Sequence, residues 1–214
     1  MKYLIGAVLA LTPIGAWAQG CPPPGWSSER LEALRAAEFT ISDPAERGRF
    51  AHGILACVAS PEPFLRDSIA YEGLAHLLRA GQIDDALKAE IGRSLVLRLA
   101  DGDDAGFEAP FAALILSEIV RADRIARYLP DDLRDEIVVR GAAYLAGVRD
   151  YRGFDEREGW RHGVAHGADL MMQIALDSNV TDPGQLARVR DAIGAQVAPA
   201  SHFYIYGEPE RLPR

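Results

Sequence analysis

The chain has 214 residues, of which 31 are acidic and 23 are basic, so its net charge is −8 at pH 7. An acidic surface argues against nucleic acid and anionic membranes as partners. The length suits one domain with a substantial core, and no low-complexity tract or block of like charges divides the chain.

The first 18 residues have the features of a signal peptide. Lys2 gives a charged start, an apolar run extends from Tyr3 to Leu11, and Ala16-Trp17-Ala18 has the form of a cleavage site. The apolar run is shorter than the about 20 residues that a spanning helix needs. We therefore predict cleavage after Ala18, a periplasmic or secreted location and no stable membrane anchor. Cleavage would leave 196 residues with a net charge of −9.

Two cysteines, Cys21 and Cys57, lie in the predicted mature chain. In an oxidising compartment they could form a disulfide that joins the proline-rich start to an early helix. The sequence does not show whether their Cα atoms lie within roughly 7 Å, so one buried and one mobile thiol is the alternative. A lipid anchor on Cys21 is a further alternative, although Gln19 lies where acylation signals favour a small residue.

Nearly all of the chain from Ser28 onward is predicted to be helical. Asp43, Asp84 and Asp182 are suitable N-caps, and Pro44 and Pro183 stand at the first helical position. A short helix at 29–38 is followed by helices at 44–59, 64–80, 85–100, 108–127, 131–148, 159–177 and 183–197. The helix at 108–127 is the most apolar, which predicts a central position.

These elements predict an all-α fold of about seven helices after the signal peptide. Short turns between successive helices favour antiparallel αα-hairpins, stacked as a short α-solenoid of the ARM or HEAT kind or as a bundle. No segment alternates in polarity with the period of a strand, so we expect no sheet. The aromatic tail, residues 202–206, is predicted to pack back as an extended segment. Residues 19–214 would then form a single helical domain.

The stretch GWRHGVAHGADLM, residues 159–171, holds most of the polar chemistry. On a helix, His162, His166 and Asp169 would share one stripe. They could bind a divalent metal, form a buried hydrogen-bond network, or carry out acid–base chemistry without metal. Gly163 stands where the zinc motif H-E-x-x-H has its glutamate, so the mechanism of that motif is not expected.

A second polar cluster lies on the helix at 64–80. Asp67 and Tyr71 are one turn apart, with Arg66 and Glu72 beside them. These side chains could reach the histidine helix, or they could form an ordinary solvated face with ion pairs.

Three strings resemble segments of a bacterial family of unknown function, DUF2785. They are RDSIAYEGL at 66–74, DYRGF at 150–154 and GWRHGVAHGADLM at 159–171, and EPERL at 208–212 resembles the family's ending. The resemblance is strongest over 64–212. The stretch Ala109–Ala112 departs from it, because the family has polar residues there, which puts an intact site in doubt.

The resemblance implies an all-helical, solenoid-like domain with no assigned activity. It also implies ten shared positions, which are Arg66, Asp67, Tyr71, Asp150, Arg152, Gly153, Trp160, His162, His166 and Asp169. Of these, Arg66, Tyr71, Arg152 and Trp160 are candidate ligand-binding residues.

For function we favour a binding or interaction module with a polar pocket around the histidine helix, which takes a protein or a small molecule. The alternative is a metal-dependent hydrolase or other enzyme. In that case His162, His166 and Asp169 would bind the metal, and Asp67 or Asp150 would act as the base.

Overall fold

The computed structural model describes residues 20–100 and 104–213, so the predicted signal peptide lies outside the described residues. The described chain is mostly helical, and the all-α prediction is confirmed, in a form consistent with a bundle or a solenoid-like stack. The helices are α1 (Ser28–Ala36), α2 (Pro44–Gly53), α3 (Glu72–Arg79), α4 (Asp85–Arg98), α5 (Glu108–Ile125), α6 (Asp131–Gly147), α7 (Gly163–Ala175), α8 (Pro183–Val197) and α9 (Glu208–Arg211).

Helix starts follow the capping residues in the sequence. Asp43 accepts hydrogen bonds from the main chain of Ala45 and Glu46 at the start of α2. Asp84 caps α4 and Asp182 caps α8 in the same way. These bonds satisfy N–H groups that have no partner within the helix. The three predicted aspartate caps are therefore confirmed.

Helix α5 lies at the centre of the described fold. It packs most extensively against α7 and also against α4, α3 and α6. Its residues from Phe111 to Val120 are all buried, as the apolar run predicts. The pairing of α5 with α7 places the histidine helix against the core.

Three predicted helices differ from the structure. The helix predicted at 44–59 is α-helical only to Gly53 and ends as a 3₁₀-helix over Ile54–Cys57. The segment predicted as one helix at 64–80 is a π-helix over Phe64–Tyr71 that continues into α3. The helix predicted from Gly159 begins at Gly163, because Phe154–Asp155 (β1) and Gly159–Trp160 (β2) form an antiparallel hairpin before it. The expectation of no sheet was therefore wrong at this one small hairpin.

The N-terminal part of the described chain is bonded covalently to the core. A disulfide joins Cys21 to Cys57, whose Cα atoms lie 5.0 Å apart. Trp26 packs against Phe50 with ring centres 4.7 Å apart. Within the described residues, no helix combines the length and apolarity that crossing a membrane requires.

Candidate functional site

Local hydrogen bonds close the hairpin that precedes α7. The carboxylate of Asp155 accepts from the main-chain N–H groups of Arg157 at 2.8 Å and Glu158 at 3.0 Å, a turn pattern typical of aspartate. Gly159 follows with a φ of +74°, a conformation that glycine adopts without strain. The turn places Trp160 at the surface, directly before the histidines.

His162 is the residue at which the hairpin becomes a helix. It has left-handed backbone angles, φ 56° and ψ 37°, so it is the N-cap of α7 and not a residue within it. Its imidazole stacks on Trp160, and its Nε2 atom lies 3.0 Å from the carbonyl oxygen of Tyr206. Since a carbonyl only accepts, Nε2 must carry the proton. Burial lowers the pKa of His162, although Glu208 lies 3.7 Å away, so the ring is neutral near pH 7.

His166 is buried in the first turn of α7. Its ring lies nearly perpendicular to the ring of Phe111, with the two ring centres 5.1 Å apart, and it hydrogen-bonds to the main chain of Pro110. Burial lowers its pKa to about 3, and the neighbouring His162 acts in the same direction. Its Nδ1 atom has no hydrogen-bond partner among the described residues. His166 is therefore a neutral core histidine, held by packing more than by polar contacts.

Asp169 faces the C-terminal tail. Its carboxylate forms an ion pair with Arg211 of α9. The expected stripe of His162, His166 and Asp169 on one helix is wrong for its first member, because His162 precedes α7. The two ring centres lie 5.8 Å apart. Two of the three polar groups therefore hold the tail, and the third packs against α5.

The tail packs back over the hairpin, as predicted. A Cβ atom at Gly153 would lie 2.0 Å from Cδ2 of Tyr206, so only glycine allows this close approach. Tyr204 donates through its hydroxyl to the carbonyl oxygen of Gln196 at 2.8 Å. The buried carboxylate of Glu208 accepts from the main chain of Tyr206 at 3.0 Å. These contacts hold residues 204–208 in one position.

Arg66 is the largest fully buried side chain among the described residues, and it joins three segments. Its guanidinium lies over the rings of Phe107 and Phe111, at 4.0 and 4.9 Å, and donates to the carbonyl of Glu158 in the hairpin turn at 2.7 Å. Its Nε atom lies 2.8 Å from Asp67, an ion pair that is not aligned as a hydrogen bond. Burial raises the pKa of Asp67 against the opposing effect of Arg66. The pair ties the π-helix to the hairpin.

Tyr71 ends the π-helix beside a second ion pair. Arg79 donates through Nε to Glu118 of α5 at 2.9 Å, and it also interacts with the hydroxyl of Tyr71. Burial raises the pKa of Tyr71, and the charge of Glu118 adds to that effect. The phenol therefore stays protonated over the physiological pH range and serves as a hydrogen-bonding group.

Asp150 and Arg152 pair with each other in the loop after α6. The Nε atom of Arg152 lies 2.9 Å from the Asp150 carboxylate. Burial acts to raise the pKa of Asp150, but the hydrogen bonds from Arg152 outweigh it and lower the pKa. A Cβ atom at Gly106 would meet both side chains within 2.6 Å. The pair therefore packs against the start of the segment that leads into α5.

The predicted site residues lie in three neighbouring groups, and a main-chain hydrogen bond from the N–H of His162 to the carbonyl oxygen of Arg152, at 3.2 Å, joins two of them. The groups are His162, His166, Asp169 and Trp160; Arg66 and Asp67, with Tyr71 at the end of the same π-helix; and Asp150 with Arg152. Sequence reasoning missed the roles of the tail residues Tyr206, Glu208 and Arg211. The EPERL string marks two of these positions but does not indicate what they contact.

The residues proposed as metal ligands do not have the arrangement of a metal site. The described residues contain no group of three His, Cys, Asp or Glu side chains that could hold an ion. Nε2 of His162 donates a hydrogen bond to the carbonyl oxygen of Tyr206, and the carboxylate of Asp169 forms an ion pair with Arg211. A metal here would have to displace both partners, so the geometry does not fit one.

Open clefts lie beside the histidines and not around them. One cleft of about 540 Å³ is lined by the 151–155 loop, Glu158, Arg161, His202 and Tyr206. A larger one, of about 870 Å³, lies between α1 and α3 and includes Tyr71. Neither His162 nor His166 lines these clefts or the three others found on the described surface.

Comparison with known proteins agrees with the motifs. No curated protein and no solved structure matches the chain. A family model described as "Protein of unknown function (DUF2785)" matches residues 95–214, which is more than half of the chain. The match includes the 150–154 loop, the histidine helix and the tail, while the 66–74 string lies before it. The chain therefore belongs to the DUF2785 family of proteins of unknown function.

Proposed function

We propose that this protein is an exported interaction module that binds an extended segment of a partner protein. The binding surface is formed by the hairpin and the tail, and we name it the tail surface. It consists of the exposed residues Phe154, Trp160, Phe203, Ile205 and Tyr206.

The observation that carries the proposal is the exposure of Phe203 and Ile205, which are 92% and 74% exposed. Single exposed apolar residues are common on protein surfaces, but adjoining ones mark interaction sites. Here Trp160 contacts both Phe154 and Tyr206, at ring distances of 5.0 and 5.6 Å, and Tyr206 directly follows Ile205 in the chain. Aromatic residues are also the class most enriched at binding hot spots.

The tail surface is held in place before any partner arrives. His162 fixes the carbonyl of Tyr206, Arg211 is paired with Asp169, and Tyr204 is bonded to Gln196. A surface fixed in this way loses little conformational entropy on binding, which favours affinity. His162 and Asp169, at the start of α7 and within it, would thus act by holding the tail in its binding position.

The pattern of exposure indicates the shape of the partner. Phe203 and Ile205 are exposed, whereas Tyr204 between them is half-buried, which is the two-residue period of a strand. Among the described residues, the main-chain N–H groups of residues 203–205 donate to no protein acceptor. An extended peptide could therefore bond to this edge and place alternate apolar side chains against Phe203 and Ile205.

The size of the surface favours such a segment over a second copy of the chain. Phe203 and Ile205, the most exposed members of the tail surface, offer on the order of 300 Å² of apolar area, whereas a stable interface needs about 800 Å² from each partner. The net charge of −9 predicted for the mature chain would also make two copies repel. A short peptide segment can bind with a small contact area, and it need not carry the negative charge that makes two copies of the chain repel.

Export is the second part of the proposal. It is supported by the charged, apolar and small-residue order of the first 18 residues and by the disulfide between Cys21 and Cys57. Expression of the full chain followed by N-terminal sequencing of the extracytoplasmic protein should give a first residue of Gln19. Recovery only of uncleaved cytoplasmic protein would contradict export.

The metal-dependent hydrolase stays an alternative without a supporting contact. Metal analysis of the mature protein, purified without chelator, should find well under one metal ion per chain. Added Zn²⁺ should leave the unfolding temperature unchanged, because a metal that binds only the folded state would raise it. Stoichiometric metal that is lost in His166→Leu would restore this alternative.

Selection of binding peptides tests the interaction module. The probe is a phage-displayed library of random peptides of about twelve residues, long enough to pair along the whole tail edge. We expect enriched peptides to have apolar residues at alternate positions and to lose binding to the double variant Phe203→Asp/Ile205→Asp. The matched control is Ile125→Asp/Val139→Asp, which changes two other exposed apolar residues.

Main-chain pairing has its own control. N-methylation at alternate positions of the best peptide removes N–H donors without removing side chains, and we expect it to abolish binding. The proposal would be overturned if no peptide were enriched, or if the tail variant and the control variant bound equally well.

A further inference from the structure

The largest of the five clefts described above, about 870 Å³, lies between α1 and the helix formed by the π-helix and α3. Its volume is within the range of small-molecule sites. It shares no lining residue with the tail surface, so what binds here is independent of the proposed function.

Unusual backbone lies on both sides of this cleft. Glu38 and Phe39 both have positive φ, 51° and 54°, which is a rare conformation for residues other than glycine. Phe64 and Tyr71 on the opposite wall are the ends of the π-helix. Strained backbone and π-helices both recur at functional sites, where the surrounding structure maintains them.

The aromatic residues of the cleft give it an apolar lining. Phe39 is buried at its base, where its ring lies 6.0 Å from the ring of His76, and Phe64 lines the opposite side. Tyr71 contributes a protonated hydroxyl beside them. The cleft can therefore hold the apolar body of a ligand against aromatic rings and one hydrogen-bonding group.

The charges of the cleft are unbalanced. Its two guanidinium groups are already paired, Arg35 with Glu72 at 2.6 and 3.1 Å and Arg79 with Glu118 of α5. The carboxylates of Glu32 and Glu38 also line the cleft, and neither has an ion-pair partner among the described residues. Two negative charges are thus left over, in a chain that is acidic as a whole.

We propose that this cleft binds a small organic cation, a ligand that joins an ammonium or guanidinium group to an apolar body. Glu32 and Glu38 attract the charged group, and the rings of Phe39 and Phe64 contact the apolar body. Aromatic faces also attract a cation directly, which adds to the preference. The acidic field of the chain steers cations toward the cleft and disfavours anions.

Three probes of the same shape and different charge test the proposal. Phenethylamine is cationic, phenethyl alcohol is neutral and hydrocinnamate is anionic, and each is titrated into the mature protein while amide signals are followed by NMR. We expect phenethylamine to shift the signals of residues around Glu38, Phe39 and Tyr71. It should bind at least about tenfold more tightly than the alcohol, since two carboxylates lie near its charge.

Charge variants distinguish attraction by the carboxylates of the cleft from attraction by the net negative charge of the whole chain. Glu32→Gln/Glu38→Gln should weaken phenethylamine about tenfold and leave the alcohol unchanged. Asp132→Asn/Asp191→Asn removes the same charge from exposed positions outside the cleft and the hairpin, and should weaken phenethylamine binding less than about twofold. Equal binding of the three probes, shifts only outside the cleft, or equal losses in the two double variants would each overturn the assignment. Peptide binding by the tail surface should be the same in all of these proteins.

Discussion

The Nε2 atom of His162 lies 3.0 Å from the carbonyl oxygen of Tyr206, 44 residues further along the chain. This hydrogen bond joins the start of the histidine helix to the tail. A second link runs from Asp169 to Arg211. His162, which caps α7, and Asp169 within it thus hold a C-terminal segment, and that segment carries the most exposed large apolar side chains among the described residues.

Replacing His162 should loosen the tail. Asparagine tolerates the left-handed backbone at this position but is too short to stack on Trp160 as the imidazole does. We expect His162→Asn to lower the free energy of unfolding by about 1–2 kcal/mol, the cost of a lost buried hydrogen bond. Hydrogen exchange should become faster at residues 203–208.

His76→Asn is the control for that experiment, because His76 lies in the cleft and does not contact the tail. In His76→Asn, the amides of residues 203–208 should exchange at the wild-type rate. Unchanged tail exchange in His162→Asn would contradict the anchoring role of the histidine.

Gly153 should not tolerate a side chain. The Cβ atom of Gly153→Ala would lie 2.0 Å from the ring of Tyr206, so the tail must move. We expect a loss of roughly 1–3 kcal/mol, which is typical of overpacking. Gly194→Ala is the matched control, since nothing lies within 4 Å of that helical position and alanine should be neutral or stabilising there.

A double variant identifies the cause of the Gly153 effect. If the clash with Tyr206 is responsible, Tyr206→Ala should make the further change Gly153→Ala nearly neutral. Additive losses in the double variant would show that the clash is not the source of the instability.

Acid should destabilise the fold through His166. Burial lowers its folded-state pKa to about 3, below the ordinary value of 6.5. For a base with a lowered pKa, the stabilising contribution is complete above about pH 6.5 and is lost as the pH falls from there toward 3. The expected loss is roughly 3 kcal/mol at about pH 4, relative to a chain without this group.

Urea unfolding of the wild type and His166→Leu, at about pH 7 and about pH 4, measures this contribution. Carboxylates titrate in both proteins. The histidine's contribution is therefore the difference between the two losses of unfolding free energy from about pH 7 to about pH 4. The wild type should lose more stability on acidification than the variant. Parallel losses would show that His166 is not a buried neutral group.

The disulfide should contribute substantially to stability. Its two cysteines are 36 residues apart, and a bridge across a loop of that length is worth roughly 4 kcal/mol. Cys21→Ser/Cys57→Ser should unfold at lower urea concentration than the oxidised wild type. Adding reductant should shift the wild type toward the variant and leave the variant unchanged. Coincident unfolding curves without reductant would contradict a closed bridge.

Local chemistry explains which parts of the fold could be predicted. Asp43, Asp84 and Asp182 cap helices through hydrogen bonds that span two or three residues, so the sequence contains the whole interaction. The burial of α5 follows from its own apolar residues. The same reasoning failed at Gly159, where hairpin pairing across the 154–160 turn overrides helical spacing.

The site was less predictable because its contacts are distant in sequence. The sequence predicts that His162 and Asp169 share one face of a helix, but their partners lie more than 40 positions away in the tail. The sequence indicates that Arg66 belongs to a polar cluster. Its contact with Glu158, 92 positions away, depends on tertiary packing and cannot be predicted from spacing. Residue type and spacing can identify polar groups, and only the fold determines which of them meet.

The affinity of one selected peptide for three proteins measures whether the tail surface is the peptide-binding site. The proteins are the wild type, Phe203→Asp/Ile205→Asp and the control Ile125→Asp/Val139→Asp. Their unfolding temperatures are first shown to be equal, and peptide binding is then measured by titration calorimetry. Because the changed side chains are exposed, neither double variant should lose much stability. We predict at least about a tenfold loss of affinity in the tail variant alone. Equal affinity of all three proteins would show that the tail surface does not bind the peptide.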